Sequence, residues 1–213
     1  MADESSSIRS VKIDADERGG WSSDRPRRDG APRREQDVSV RNRVLSPADR
    51  MRYSPGSLVV VVSGSAAERD AFVERVFESK NAVLSLDKVR ALLAGRVPEE
   101  EVAARAPELL EAAVTKRLAA EQAVVLAADG VDPAERERFV RIAASAGRPR
   151  HLILLETGRD QVAEDDRAPL NALRSALDSG QLGAEGFHTA LRLGGGSAAE
   201  VKRIVFRPEP RDD

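Results

Sequence analysis

Leu58-Val59-Val60-Val61-Val62-Ser63-Gly64-Ser65-Ala66-Ala67-Glu68-Arg69-Asp70-Ala71 is the stretch on which the fold turns. Its first five residues are an unbroken aliphatic run with no polar position to face water. A strand of this kind is buried on both faces, as in parallel sheets covered by helices. Ser63-Gly64-Ser65 interrupts the run, and Phe72, Val73, Val76 and Phe77 then recur at helical spacing over Ala67 to Phe77. The stretch therefore predicts a strand, a tight turn and a helix.

Downstream the same alternation repeats. A short strand is predicted at Ala82 to Leu84, a helix around Lys88 to Leu93, and a long helix from about Glu100 to Glu121 in which Pro107 marks a place to break. Ala123 to Ala128 is again a buried strand. Asp132-Pro133-Ala134-Glu135 combines an N-cap, a proline at the first helical position and a glutamate placed for a capping box, opening a helix to Ala146 that Gly147 ends. His151 to Leu155 reads as a strand, Ala168 to Ser179 as a helix and Thr189 to Leu193 as a strand. After the turn Gly194-Gly195-Gly196 a last strand is predicted at Arg203 to Phe206. Strands alternating with helices at this rhythm imply a three-layer α/β domain with a mostly parallel sheet. Its core must be aliphatic, because aromatic residues are only 3% of the chain while apolar residues are 41%.

Upstream the composition changes. Residues 1–57 are read as a disordered tail and linker, rich in Arg, Ser and Pro, 58–207 as the folded domain, and 208–213 as a frayed end. The tail has isolated apolar residues without a sustained period, too few to offset the entropy of ordering it. It holds 12 basic against 10 acidic residues, leaving 22 against 26 for the rest of the 34 and 36 in the chain. A weakly basic tail thus precedes an acidic body. Trp21, the single tryptophan, lies just before Arg25, Arg27, Arg28, Arg33 and Arg34. The patch reads either as a solubilising segment or as a docking segment for an acidic protein partner or nucleic acid.

The absence of cysteine excludes disulfides, thiolate metal sites and cysteine nucleophiles. Two histidines exclude a site built of several, and no metal site is expected. No apolar run reaches the length of a membrane span and the N-terminus lacks a signal-peptide core, so a cytoplasmic protein without membrane contact is expected.

In doubly wound α/β folds the first strand–helix turn is the usual place for phosphate. Here that turn, with the segments after it, resembles the P-loop kinases of the polynucleotide-kinase-like, zeta-toxin-like AAA type, over about Leu58 to Phe206. Their first strand is followed by GxxxxGK(S/T). Gly64 matches the first glycine, whereas the second falls on Arg69, the lysine on Asp70 and the Mg-binding hydroxyl on Ala71. Gly64, Ser65 and Arg69 are thus the cofactor-binding candidates of a degenerate loop. Asp70 brings a negative charge where the lysine would meet phosphate, and Ala71 offers no ligand to Mg²⁺. Ser65-Ala66-Ala67-Glu68 is also a capping-box sequence, in which Ser65 accepts from the Glu68 amide and the Glu68 carboxylate returns to the Ser65 amide.

Ser85-Leu86-Asp87-Lys88-Val89-Arg90 resembles the S-x-D-x-x-R segment of the same family. The resemblance implies that Asp87 is a general base and that Arg90 holds the acceptor; on the residues alone, an aspartate favouring a helix N-terminus explains Asp87 equally. The family's strand-end Asp and the Asn that follows fall on Ala127 and Gly130, with Asp129 two places on. The segment matching the arginine-bearing lid, Thr157 to Ala168, has Arg159 and Arg167 among Asp160, Glu164, Asp165 and Asp166, and reads as a solvated face. Three functions follow. The first is a catalytically impaired kinase-like domain that binds a protein partner or serves as a scaffold, with no cofactor and with the tail as docking segment. The second is a residual Mg-ATP-dependent phosphotransferase using Asp87 as base. The third is a structural subunit of a larger assembly.

Overall fold

The computed structural model describes residues 43–208. Trp21, Arg25, Arg27, Arg28, Arg33 and Arg34 lie outside the described residues. Eight strands are formed: β1 (Arg43–Leu45), β2 (Arg50–Tyr53), β3 (Leu58–Ser63), β4 (Val83–Ser85), β5 (Val124–Ala127), β6 (Arg150–Leu155), β7 (Thr189–Leu193) and β8 (Arg203–Phe206). The helices are α1 (Ala66–Val76), α2 (Leu86–Leu93), α3 (Glu99–Ala119), α4 (Pro133–Ser145), α5 (Glu164–Asp178) and the short α6 (Gly196–Glu200).

Six strands make a wholly parallel sheet in the order β1-β7-β6-β3-β5-β4. β3 is central, as its uninterrupted aliphatic run requires, and all six of its residues are buried. Its side chains divide by the period of two. Leu58, Val60 and Val62 enter a cluster with Val89 of α2, Leu110, Val114 and Leu118 of α3, Phe139 of α4 and Leu170 of α5. Val59 and Val61 enter the opposite cluster with Phe72, Val73 and Val76 of α1. The α/β class and the parallel sheet expected from the alternation are therefore present.

Two features differ from expectation. Residues 43–57, read as linker, carry β1, which extends the sheet beside β7, and β2, which pairs in parallel with β8. β8 accordingly belongs to a separate two-stranded ribbon and not to the main sheet. The alternating pattern of β2, Arg50 and Arg52 exposed with Met51 and Tyr53 buried, is too short to register as a strand without its partner. Pro107 does not split α3, which runs unbroken through it. Ala106, Leu110, Val114 and Leu118 are all buried along one face, and this anchorage outweighs the missing amide and the crowding of the preceding turn.

Candidate functional site

In a doubly wound sheet, ligands sit beyond the carboxyl ends of the strands where connections diverge on the two sides of the central strand. Beyond β3 three connections meet: Gly64–Ser65 before α1, the segment from Ala128 to Asp132 after β5, and the segment from Glu156 to Ala163 after β6.

The β3–α1 turn has only two residues, so Ala66 to Arg69 are wound into the first helical turn. The Ser65 hydroxyl accepts from the Glu68 amide at 3.4 Å, half of the expected capping box. The other half is not formed. The Ser65 amide donates to Ser63 Oγ at 3.2 Å, and Glu68 remains exposed. Ser63 is available because a 2.7 Å bond to Thr157 Oγ1 fixes its hydroxyl at the strand end.

Gly64 has a packing reason. A Cβ there would lie 2.9 Å from Val162 Cγ2 and 3.4 Å from Leu170 Cδ2, so the segment after β6 closes directly on this turn. Arg69 points inward, with its side chain only 2% exposed. Its Nε donates to Asp70 Oδ1 at 2.8 Å and its Nη1 to the Ala128 carbonyl beyond β5. Neither its charge nor its donors face solvent at the helix start.

Asp87 and Arg90 do stand together. Ser85 caps α2 through the Lys88 amide at 3.2 Å, and one turn on, Arg90 Nη1 lies 3.0 Å from Asp87 Oδ1. The fold adds Asp129, whose Oδ2 is 3.8 Å from Arg90 Nη2. All three are well exposed. Asp87 lines a cleft of about 420 Å³ between α1 and α2 with Asp70, Glu74, Ser85 and Lys88. Asp132 caps α4 as expected, accepting from the Ala134 amide at 2.9 Å. Glu135 does not complete that capping box, because its Oε1 accepts from the Asp129 amide at 3.3 Å, and burial pushes its pKa upward.

Arg159 and Arg167, read as a solvated face, line a cleft of about 440 Å³ with Arg174, Asn171, Thr157 and Val162. Sequence reasoning missed Arg174 although a signal was present. Arg167, Asn171 and Arg174 follow at i, i+4 and i+7, which is one face of a helix that starts four residues earlier than expected. The guanidinium groups are partly held by acids: Arg167 by Glu164, and Arg174 by Glu156 Oε2 at 2.8 Å through Nε. Arg192 joins from β7, its Nε 2.6 Å from Glu156 Oε1. Burial alone would raise the pKa of Glu156, but the hydrogen bonds from Arg174 and Arg192 outweigh it and hold the carboxyl low.

Among the described residues no group of three or more His, Cys, Asp or Glu side chains is placed to hold a metal ion, and no helix is long and apolar enough to cross a membrane. A family model described as an AAA domain matches residues 60–179. No curated protein matches the chain.

Proposed function

The chain belongs to the AAA-domain family, a family of P-loop kinase-like domains, and from that premise we propose that it is a binding or scaffold protein that has given up phosphoryl transfer. The observation that carries this reading is the closed β3–α1 turn. A phosphate loop works by arching several backbone amides around an anion and setting a lysine beside it. Here the corresponding residues form a regular helical turn, Val162 covers Gly64, and Arg69 is spent on Ala128 and Asp70. Asp70 and Ala71 bring no positive charge and no hydroxyl. Mg-ATP therefore does not fit this turn. Charge neutralisation and metal binding are separate parts of phosphoryl transfer, so their joint loss is not offset by a single remaining group.

In this reading the working surface is the arginine cleft of α5, with the segment around Trp21, Arg25, Arg27, Arg28, Arg33 and Arg34 as a docking element for an acidic protein partner or nucleic acid. A second reading is favoured by Asp87 and the cleft beside it: a residual phosphotransferase in which Asp87 is the base and Arg159, Arg167 and Arg174 face the transferred group. Isothermal titration with Mg·ATP separates the two. No heat of binding is expected; affinity tighter than about 100 μM overturns the scaffold reading. A third, a structural subunit of an assembly, is tested by light scattering on the full-length and tail-deleted chains. A monodisperse monomer with no co-purifying partner in both forms counts against it.

A further inference from the structure

At the amino ends of the strands, remote from the clefts, the two-stranded ribbon lies against the main sheet through Tyr53. The Tyr53 ring sits 4.5 Å from the His151 ring, centroid to centroid, at an interplanar angle of 34°. His151 is the second residue of β6, opposite Thr189 of β7 and Val59 of β3 in the sheet register. Its Nδ1 is 2.8 Å from Thr189 Oγ1. Its Nε2 and the Tyr53 hydroxyl are both buried with no hydrogen-bond partner among the described residues. Two unpartnered polar atoms at one contact is an arrangement that folding otherwise avoids.

We propose that the Tyr53–His151 contact is an acid-sensitive latch that holds the β2–β8 ribbon on the sheet and releases it when the imidazole gains a proton. The ring lies tilted against Tyr53, and because its Nε2 is buried without a partner the site suits the neutral imidazole and leaves an imidazolium unpaired. Protonation would place a second N–H in a site without an acceptor. The groups nearest in charge offer no relief: Arg150 precedes it on β6, His188 leads into β7, and Thr189 and Tyr53 are uncharged. Burial first, then His188 and Arg150, push the pKa of His151 down to about 4. The unfolded or undocked ring takes up its proton near the usual value of about 6.5. Stability from this contact is therefore complete above about 6.5 and falls as pH drops toward 4. Below both values protonation favours the undocked form by up to about 300-fold, about half of which is reached at pH 4. The ribbon is the part that gives way, because it stands outside the six-stranded ladder and, apart from the β2–β8 pairing, its strands are tied at the end of α1 only where the Glu78 amide donates to the Ile204 carbonyl and Arg203 meets the Glu78 carboxylate.

Tyr53 is the only tyrosine and Trp21 the only tryptophan, so the full chain with Trp21→Phe reports on the latch alone. Acrylamide quenching of Tyr53 fluorescence should rise at least about twofold from pH 7 to pH 4.5 while far-UV ellipticity is retained. His151→Leu should abolish the rise and His188→Gln should keep it. A flat response in the parent, an equal rise in His151→Leu, or loss of ellipticity in step with quenching overturns the proposal. Should His151→Leu fail to fold, histidine ring ¹³C resonances of the unaltered chain decide. Protonation of His151 coincident with Tyr53 exposure supports the latch, and protonation near pH 6.5 with Tyr53 still protected overturns it.

Discussion

The β3–α1 turn and the arginine cleft of α5 share Val162 and Leu170 beyond the carboxyl ends of the strands, yet they are built in opposite ways. The turn is closed: two residues long, capped by Ser65, covered by Val162 and left without an outward positive charge by the inward course of Arg69. The α5 face is open, with Arg159, Arg167 and Arg174 around a cleft that Glu164, the partner of Arg167, also lines, while Glu156 holds Arg174. One half of the strand-end crevice is thus packed shut by Val162 while the other keeps a charged surface.

The sharpest way to break this comparison is at Arg69. Arg69→Ala removes one of the largest fully buried side chains and is expected to lower stability by about 3 kcal/mol in denaturant unfolding, with Arg69→Met recovering much of the loss. An Arg69→Ala chain as stable as the parent would show that the guanidinium does not hold the turn to β5. Next is Glu156, which anchors the open face. Glu156→Gln is expected to cost about 1–3 kcal/mol, since two arginines lose their charged acceptor. The sign of the pH dependence follows from its lowered pKa: the contribution is present above the usual carboxylate range and is lost as pH falls through the lower folded value. Stability curves of parent and variant should therefore converge in acid.

Gly64→Ala is expected to cost about 1–2 kcal/mol, because the new methyl meets Val162, and Val162→Ala in the same chain should return part of it. Strict additivity of the two changes would mean that the segment after β6 does not close on the turn. Arg90→Ala, which breaks only exposed pairs with Asp87 and Asp129, should change stability by no more than about 0.5 kcal/mol. On phosphate binding, no effect is expected from rebuilding the motif, whatever stability the loss of buried Arg69 costs. Arg69→Gly, Asp70→Lys and Ala71→Ser together should give no measurable phosphate binding in calorimetry of the folded variant, since the backbone is already helical from Ala66. Phosphate binding by that variant would show that the turn keeps a phosphate-loop path.

What was readable in the chain follows the range of the interaction concerned. β3 was evident because five consecutive aliphatics admit no solvent-facing arrangement, and the Ser65 cap because it involves residues three apart. β2 was harder, being four residues whose alternation is too short to stand alone; β8 was expected at Arg203 to Phe206, but its pairing with β2, across more than 140 residues, was not. Arg174 was missed because the start of α5 was placed at Ala168, although the helix begins at Glu164. Asp129 reaches the Asp87–Arg90 corner only because β5 lies beside β4, a relation that no local spacing encodes.

By itself the amino-acid sequence determined the alternation of strands and helices, the burial of β3 and the presence of Asp70 and Ala71 in the helix after Gly64, since each depends on residue type and short-range period. Only the tertiary structure decided what surrounds that turn. Whether Arg69 faces solvent or Ala128, what lies over Gly64, and which arginines share a cleft depend on segments brought together from β3, β5 and β6. Burial and close packing act between neighbours in space, and a chain states its neighbours only once it has folded.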